Sequence, residues 1–299
     1  VMLNATADHL RSKLPSIGHS DQRIGVVSEY MVQKYGFPRG TPVVAWSGDN
    51  PNSLIGVGGW APGTAVVSLG TSDTFFSAMS RPQVDPAGCG HVFGNPAGGY
   101  MSLICFKNGS LAREEVRNRF RMSWDEFDRA LKGTRAGNNG NLMLPFFVPE
   151  ITPLILESCI ACSGDDTFMR GEDPPALIRG VVEGQAMNMR LHSAWIADDP
   201  AILRVTGGGS ASTGICQILA DVFNARVIRL ETANSAALGA AMRAAESVSC
   251  HDWNELTTMF CATNPELDVG PTAENVERYK QILPQFEALI ENNVTRGVQ

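Results

Sequence analysis

A single carboxylate at a turn is the first group in this sequence whose position suits catalysis. Asp49 lies in the sequence Gly48-Asp49-Asn50, after a short apolar strand and before a helix predicted to begin at Pro51. A carboxylate placed there can accept the proton of an attacking hydroxyl group. The residues alone leave an alternative, in which Asp49 or Asn50 simply caps the following helix.

A turn of small residues follows further along the chain. Strands are predicted at 64–69 and 74–78, and the sequence GTSD at 70–73 joins them. Its N–H groups and hydroxyls could hold the outer phosphate oxygens of a nucleotide. An ordinary tight hairpin favours the same residue types, and we expect Asp73 to serve the turn itself. No G-x-x-x-x-G-K-[ST] pattern occurs, so the turn is not a P-loop.

A second glycine-rich turn, TGGGSAS at 206–212, lies between a predicted strand and a predicted helix. Three glycines let a phosphate or a flat ring approach the backbone, and the helix N-terminus adds positive potential. The spacing is not G-x-G-x-x-G, and a purely structural strand-to-helix turn is the alternative. With Asp49, the two turns predict phosphoryl transfer from a nucleotide to an alcohol. We expect all three to face one cleft.

The other candidate residues carry weaker signals. Trp124 begins a helix with a capping box, where it could be core or could stack on a purine. His91 and His192 lack the spacing of metal ligands. Cys159 and Cys162 form one C-x-x-C, but no second pair follows, which argues against a zinc or redox site.

Composition excludes several classes of protein. The 299 residues are 43% hydrophobic and 18% charged, as in an ordinary soluble globular protein. A net charge of −7 argues against a nucleic-acid surface. No apolar run approaches the ~20 residues of a membrane span, and the first residues show no secretory pattern. Seven scattered cysteines, an odd number, fit reduced thiols in a cytosolic protein.

Alternating strand and helix patterns, with a few paired strands, predict an α/β fold with a mixed sheet. Helices are predicted over 1–18 and from a cap at Ser20 or Asp21 to Gly36. Residues 85–99 are predicted to be loop. The Gly and Pro residues at 58–63 indicate a hinge or a domain boundary.

Several stretches, taken together and in order, resemble the FGGY family of carbohydrate kinases over nearly the whole chain. They are GDNPNSLIG (48–56), AVVSLGTSDTFF (65–76), CFKNGSLAREEVRN (105–118), EITP (150–153), VTGGGSAS (205–212), QILADVFNARV (217–227) and TANSAALGAAMRA (232–244). The resemblance implies an actin-like ATPase (ribonuclease H-like) domain, with a mixed sheet flanked by helices. It also implies transfer of phosphate from ATP to a sugar, with D-xylulose expected as the acceptor.

The resemblance also implies how the chain is divided. Residues 1–58 would be the end of an N-terminal sugar-binding domain and a hinge, and residues 59–299 a C-terminal actin-like nucleotide-binding domain. Only the second half of the family pattern is present. The first phosphate motif, the Mg²⁺-binding acids and most sugar contacts would therefore lie outside this chain. We expect the isolated piece to be inactive.

Site roles follow residue by residue from the resemblance. Asp49 would be the base, with Asn50 contacting the sugar. The turn at Gly70, Thr71 and Ser72 would touch the transferable phosphate. The remaining expected residues are the nucleotide-binding Trp124, Gly208, Gly209 and Ser212, and a framework around their pocket formed by Gln217, Asp221 and Gly239.

The expected cofactors are ATP and Mg²⁺, with no metal ligand assigned in this chain. The expected partners are a sugar and ATP, with no nucleic acid or membrane, in a cytoplasmic monomer or homodimer. Two alternatives stay open at this point. One is a kinase for another sugar or polyol, such as ribulose, gluconate or glycerol. The other is a non-catalytic actin-like nucleotide-binding module.

Overall fold

A computed structural model describes residues 9–196, 199–230, 234–248, 251–261 and 263–294. Residues 1–8 of the predicted helix over 1–18, Cys250 and the first two residues of the 232–244 stretch lie outside the described residues. Within 9–18 the chain forms only a short 3-10 helix, Leu10–Lys13, so the predicted helix is wrong there.

Two groups of elements build the fold. The strands are β1 (Arg23–Val26), β2 (Pro42–Val44), β3 (Thr64–Leu69), β4 (Asp73–Met79), β5 (His91–Gly94), β6 (Tyr100–Phe106), β7 (Leu142–Phe146), β8 (Cys159–Ser163), β9 (Ile202–Thr206) and β10 (Arg226–Arg229). The α-helices are α1 (Glu29–Tyr35), α2 (Asp49–Gly56), α3 (Ser110–Arg119), α4 (Trp124–Gly133), α5 (Asp166–Met169), α6 (Pro174–His192), α7 (Thr213–Phe223), α8 (Ser235–Val248), α9 (Trp253–Phe260) and α10 (Ala273–Val294).

The centre of the molecule is a six-stranded sheet in the order β10-β9-β3-β4-β6-β5. Strands β10, β9 and β3 are parallel, whereas β3, β4, β6 and β5 pair antiparallel. The predicted mixed α/β sheet is therefore confirmed. Two smaller two-stranded sheets, β1-β2 and β7-β8, lie beside it.

The central strands are apolar on both faces because helices cover both faces. Along β3, Ala65, Val67 and Leu69 point to the larger core, and Val66 points to the smaller one. Helices α3, α4, α6, α7 and α10 contribute to the larger core. Helix α2 packs on the opposite face with α8 beside it.

Helices α2 and α8 approach closely because each presents a glycine to the other. A Cβ atom on Gly56 would lie 1.9 Å from the Ser235 carbonyl oxygen. A Cβ atom on Gly239 would lie 1.8 Å from the Asn52 carbonyl oxygen. Any larger residue at either position would push the two helices apart. Gly239 is thus a packing residue of the α2–α8 pair.

The N-terminal part differs from the sequence prediction. The helix expected from Ser20 or Asp21 is wrong in its first part, because β1 occupies 23–26 and pairs antiparallel with β2. Helix α1 begins only after Ser28, whose side chain accepts from the Met31 N–H, and it ends as expected at Gly36. None of its residues is buried, so its apolar residues do not pack against a core in this chain.

Two strands, β5 and β8, were not predicted from the sequence. Strand β5 lies inside the predicted 85–99 loop and pairs with β6 at the edge of the central sheet. Strand β8 pairs with β7 and carries the C-x-x-C sequence. Side chains three apart on a strand point to opposite faces. Cys159 and Cys162 therefore cannot form a CxxC-type redox or zinc pair in this conformation.

Candidate functional site

The two glycine-rich turns meet in one cleft of about 510 Å³. Parallel neighbours β3 and β9 end at the same edge of the sheet, so the turns that follow them lie side by side. The predicted residues among those lining it are Gly70, Thr71, Trp124, Gly208, Gly209 and Ser212. Lining residues that the sequence did not indicate include Ser110, Arg113, Glu114, Asp125 and Asp128.

Backbone geometry at the second turn requires glycine at one position. Gly207 has φ of 86°, and a Cβ atom there would lie 2.4 Å from the Leu69 carbonyl oxygen at the end of β3. Gly208 differs, because a Cβ atom there would meet no heavy atom within 4 Å. Gly207 thus packs the two turns together, and Gly208 leaves its side of the cleft open for a ligand.

The first turn is anchored on the N-terminus of α3. The Ser110 N–H donates to the Gly70 carbonyl oxygen at 2.8 Å. A Cβ atom on Gly109 would lie 2.6 Å from the Thr71 carbonyl oxygen, so only glycine permits this contact. Thr71 and Ser72 are exposed, although Ser72 is not among the residues that line the cleft. A helix N-terminus directed at such a turn favours an anionic ligand.

Asp73 belongs to the turn, as expected, because it pairs with Leu69 across it, but its side chain also makes a contact outside the turn. Its carboxylate is fully buried and accepts from Arg113, with Nη1 to Oδ2 at 2.8 Å and Nη2 to Oδ1 at 3.1 Å. Burial raises the pKa of Asp73, and the guanidinium of Arg113 opposes that rise. Sequence reasoning missed this pair because no local pattern joins two residues on different elements.

Trp124 lies at the cleft and is 44% exposed, so the alternative of a core residue is wrong. The Arg117 guanidinium lies 4.5 Å from its ring centroid, and the Phe127 ring packs edge-on at 5.3 Å. These contacts hold the indole at the start of α4, where a planar ligand can reach it.

Ser212 is the N-cap of α7. Its hydroxyl oxygen accepts from the Ile215 N–H at 3.1 Å, and its hydroxyl donates to Asp128 Oδ1. Asp128 also accepts from the Gly214 N–H and from Lys132. Burial acts to raise the pKa of Asp128, but the hydrogen bonds from Lys132, Ser212 and Gly214 together lower it.

Asp49 and Asn50 are not among the residues that line this cleft, and the expectation that they face the two turns stays a prediction. Asp49 is the first residue of α2, which packs on the sheet face opposite to the helices around the cleft. Its carboxylate is exposed, and Oδ1 accepts from the Asn50 N–H at 2.8 Å. The cap of α2 is Gly48, so neither Asp49 nor Asn50 is the N-cap residue.

Gln217 and Asp221 lie in a different groove, of about 420 Å³. Asp221 Oδ1 accepts from Gln217 Nε2 at 2.9 Å and from the Thr272 N–H at 2.7 Å. They join α7 to the start of α10. They are framework, as expected, but not framework of the cleft between the turns.

Neither a cluster for a bound metal nor a membrane helix occurs in the described part of the chain. No group of three or more His, Cys, Asp and Glu side chains there could hold a metal ion. No helix within the described ranges is long and apolar enough to cross a bilayer. The six described cysteines are free, and burial raises the pKa of Cys159 and Cys162.

Comparison with known proteins gives consistent results. The C-terminal domain profile of the FGGY family of carbohydrate kinases matches residues 65–248. A xylulose kinase of Rattus norvegicus is 41% identical over 295 residues, covering 96% of this chain and 54% of the relative. The chain therefore spans about half the length of that curated relative.

Two crystal structures share the fold. A ligand-bound xylulose kinase from Lactobacillus acidophilus superposes with a TM-score of 0.81 at 21% identity, covering 94% of this chain and 57% of that one. A gluconate kinase from Lactobacillus acidophilus gives 0.79 at 21% identity with the same coverage of both chains. These likenesses confirm the expected actin-like ATPase fold, with its mixed sheet flanked by helices.

Proposed function

Because the chain belongs to the FGGY family of carbohydrate kinases, we propose that the complete protein transfers the γ-phosphate of ATP to D-xylulose, giving D-xylulose 5-phosphate. The observation that carries this is the meeting of the two glycine turns in one cleft beside Trp124. A phosphoryl transferase needs such a site, because positioning and charge stabilisation supply most of its catalysis.

The cleft suits an adenine nucleotide. Its volume of about 510 Å³ is in the range of small-molecule sites. The exposed indole of Trp124 would stack on adenine, and Gly208 and Gly209 would let the ribose and inner phosphates approach the backbone. Gly70, Thr71 and Ser72, next to the α3 N-terminus, would meet the outer phosphates. Ser212 would act on the nucleotide indirectly, by holding the second glycine turn in place, because its hydroxyl already donates to Asp128.

Asp49 would deprotonate the sugar hydroxyl, with Asn50 beside it on the sugar. Support for this role is the family motif and the exposed carboxylate, which a substrate can reach. Since Asp49 lies outside the cleft wall, the sugar would have to occupy the space between α2 and the first turn. Most of the enclosure of that space would come from the remaining half of the protein, whose closure would exclude water.

Mg²⁺ is proposed as a cofactor on the behaviour of the family. It usually binds through one or two carboxylates together with substrate phosphates, so it needs no larger protein cluster. When bound, it would neutralise charge on the β- and γ-phosphates. We assign it no ligand in this chain.

We propose the domain limits stated above, with 1–58 completing a sugar-binding domain and 59–299 forming the nucleotide domain. Support comes from the separate β1-β2 sheet and from α1, which buries none of its residues here. The 299-residue piece would then bind nucleotide without transferring phosphate. Free thiols at all six described cysteines support a cytoplasmic protein, which fractionation of cells would test.

The decisive experiment uses the complete protein and a panel of sugars. We expect Asp49→Asn to lower turnover by ~10²- to ~10⁴-fold with ATP affinity unchanged, because that is the usual contribution of a positioned base. Asp21→Asn is the control, because Asp21 is an exposed acid outside the proposed site. Retained turnover in Asp49→Asn would remove Asp49 from the mechanism.

The sugar panel separates the alternatives. Preference for ribulose, gluconate or glycerol would mean that the protein is a kinase with a different acceptor. Gluconate belongs in the panel because a gluconate kinase has a similar fold. ATP binding with no sugar-dependent release of ADP from the complete protein would instead indicate a non-catalytic nucleotide-binding module.

A further inference from the structure

The buried pair Asp73–Arg113 lies where the two glycine turns meet. Asp73 is the first residue of β4 and pairs with Leu69, so it closes the first turn directly. Arg113 lies one turn into α3 and is 2% exposed, yet it lines the cleft. A Cβ atom on Gly209, in the second turn, would lie 3.6 Å from Arg113 Nη2. One guanidinium thus contacts the first turn and borders the second.

A second contact extends this pair to the start of α3. Arg113 Nη1 donates to Gln185 Oε1 at 2.9 Å. Gln185 Nε2 in turn donates to the carbonyl oxygens of Asn108 and Gly109, at 2.7 and 2.9 Å. These two residues immediately precede Ser110, whose N–H holds the Gly70 carbonyl. The first turn is therefore attached to α3 by its main chain and, independently, through Asp73.

Asn108 is itself held from the other side. Glu150, which is 3% exposed, accepts from the Asn108 N–H at 3.0 Å and from Asn108 Nδ2 at 2.8 Å. The segment that carries the α3 N-terminus is therefore fixed by buried polar contacts on both sides. A buried ion pair contributes little net stability compared with a hydrophobic pair, so stability alone does not explain Asp73–Arg113.

We propose that Arg113 and Asp73 are positioning residues. Together with Gln185 they fix the distance between the first and second glycine turns, and the outer phosphates of the nucleotide require that distance. The guanidinium is suited to this because three of its five donors are used in two directions at once, towards Asp73 and towards Gln185. Lysine carries the same charge but cannot reproduce that planar arrangement. The part of this inference that concerns nucleotide binding rests on the proposed function.

The test compares Arg113→Lys with Arg179→Lys in the 299-residue chain. Arg179 is a matched control, since it is 5% exposed and pairs with buried Glu183 at 2.6 Å, away from the cleft between the turns. Titration with ATP and with adenosine measures how much affinity the phosphates add. We expect Arg113→Lys to lower the ratio of the adenosine Kd to the ATP Kd by at least ~10-fold, or about 1.4 kcal/mol. Arg179→Lys should leave this ratio within ~2-fold of wild type.

A second readout needs no nucleotide. The Ser110 amide is bonded to the Gly70 carbonyl, so its hydrogen exchange reports the attachment of the turn. We expect Arg113→Lys to speed this exchange by at least ~10-fold relative to core amides, and Arg179→Lys to leave that relative rate unchanged. If the wild-type chain binds no ATP, the proposed nucleotide site fails, and Ser110 exchange still decides the positioning role.

Two results would overturn the inference. One is a Ser110 amide in Arg113→Lys that exchanges at the wild-type rate. The other is a rise in the Ser110 exchange rate that is as large in Arg179→Lys as in Arg113→Lys. Should Arg113→Lys not fold, Gln185→Leu replaces it in both measurements with the same expected direction, because it keeps the ion pair and removes one anchor of Arg113.

Discussion

Ser212 and Asp128 are joined by a hydrogen bond that ties the second glycine turn to α4 across the cleft. The same serine oxygen caps α7 by accepting from Ile215. One hydroxyl therefore sets the direction of a helix and the position of the cleft wall.

Ser212→Ala should lower the free energy of unfolding by about 1 kcal/mol, since it removes an N-cap. Urea denaturation followed by circular dichroism measures this. Ser212→Thr keeps the hydroxyl and is the control, and it should retain most of the stability. Equal stability of the alanine and wild-type proteins would show that the cap is not needed.

The pKa of Asp128 predicts a pH dependence. Hydrogen bonds from Lys132, Ser212 and Gly214 lower it in the folded state. Its contribution to stability is therefore complete above the unfolded-state value of about 3.9 and is lost as the pH falls through the lower folded value. Wild type should lose more stability than Asp128→Asn on acidification from pH ~5 to pH ~2. Parallel losses in the two proteins, measured by urea denaturation at each pH, would contradict this.

Trp124 should report nucleotide binding. ADP should change the tryptophan fluorescence of the wild-type chain, and Trp124→Phe should abolish that change. Trp124→Ala should weaken ADP binding by ~5- to ~150-fold, the equivalent of about 1–3 kcal/mol for stacking on a base. Trp46→Phe is the control, because Trp46 is 60% exposed and outside the cleft. An unchanged ADP affinity in Trp124→Ala would exclude stacking.

Gly207 and Gly208 should respond differently to alanine. Gly207→Ala adds a Cβ atom against the Leu69 carbonyl at a positive φ, so it should lower the free energy of unfolding by about 1–3 kcal/mol. Gly208→Ala enters open space and should leave stability within ~0.5 kcal/mol, while weakening ATP binding by intruding on the cleft. Thermal unfolding and ATP titration of both variants test this. The reverse order of stabilities would refute it.

Local patterns predicted most of the elements that surround the cleft. Strands β3 and β9 were found because they are apolar runs ending in glycine turns. Helix α4 was found because a serine and a glutamate form its capping box. The first strand, β1, was missed because Ile24, Val27 and Met31 also fit a helical period. Its extended form depends on pairing with β2, a partner distant in sequence.

The sequence by itself determined the family, the mixed α/β class and the residues of the two glycine turns, because small residues after apolar strands act through local backbone geometry. Only the tertiary structure decided that Trp124 is exposed at the cleft, that Asp73 pairs with Arg113, and that α2 packs on the sheet face opposite to α3 and α4. Each of these depends on which elements pack together, and such contacts join residues too far apart in the chain for any local pattern to record.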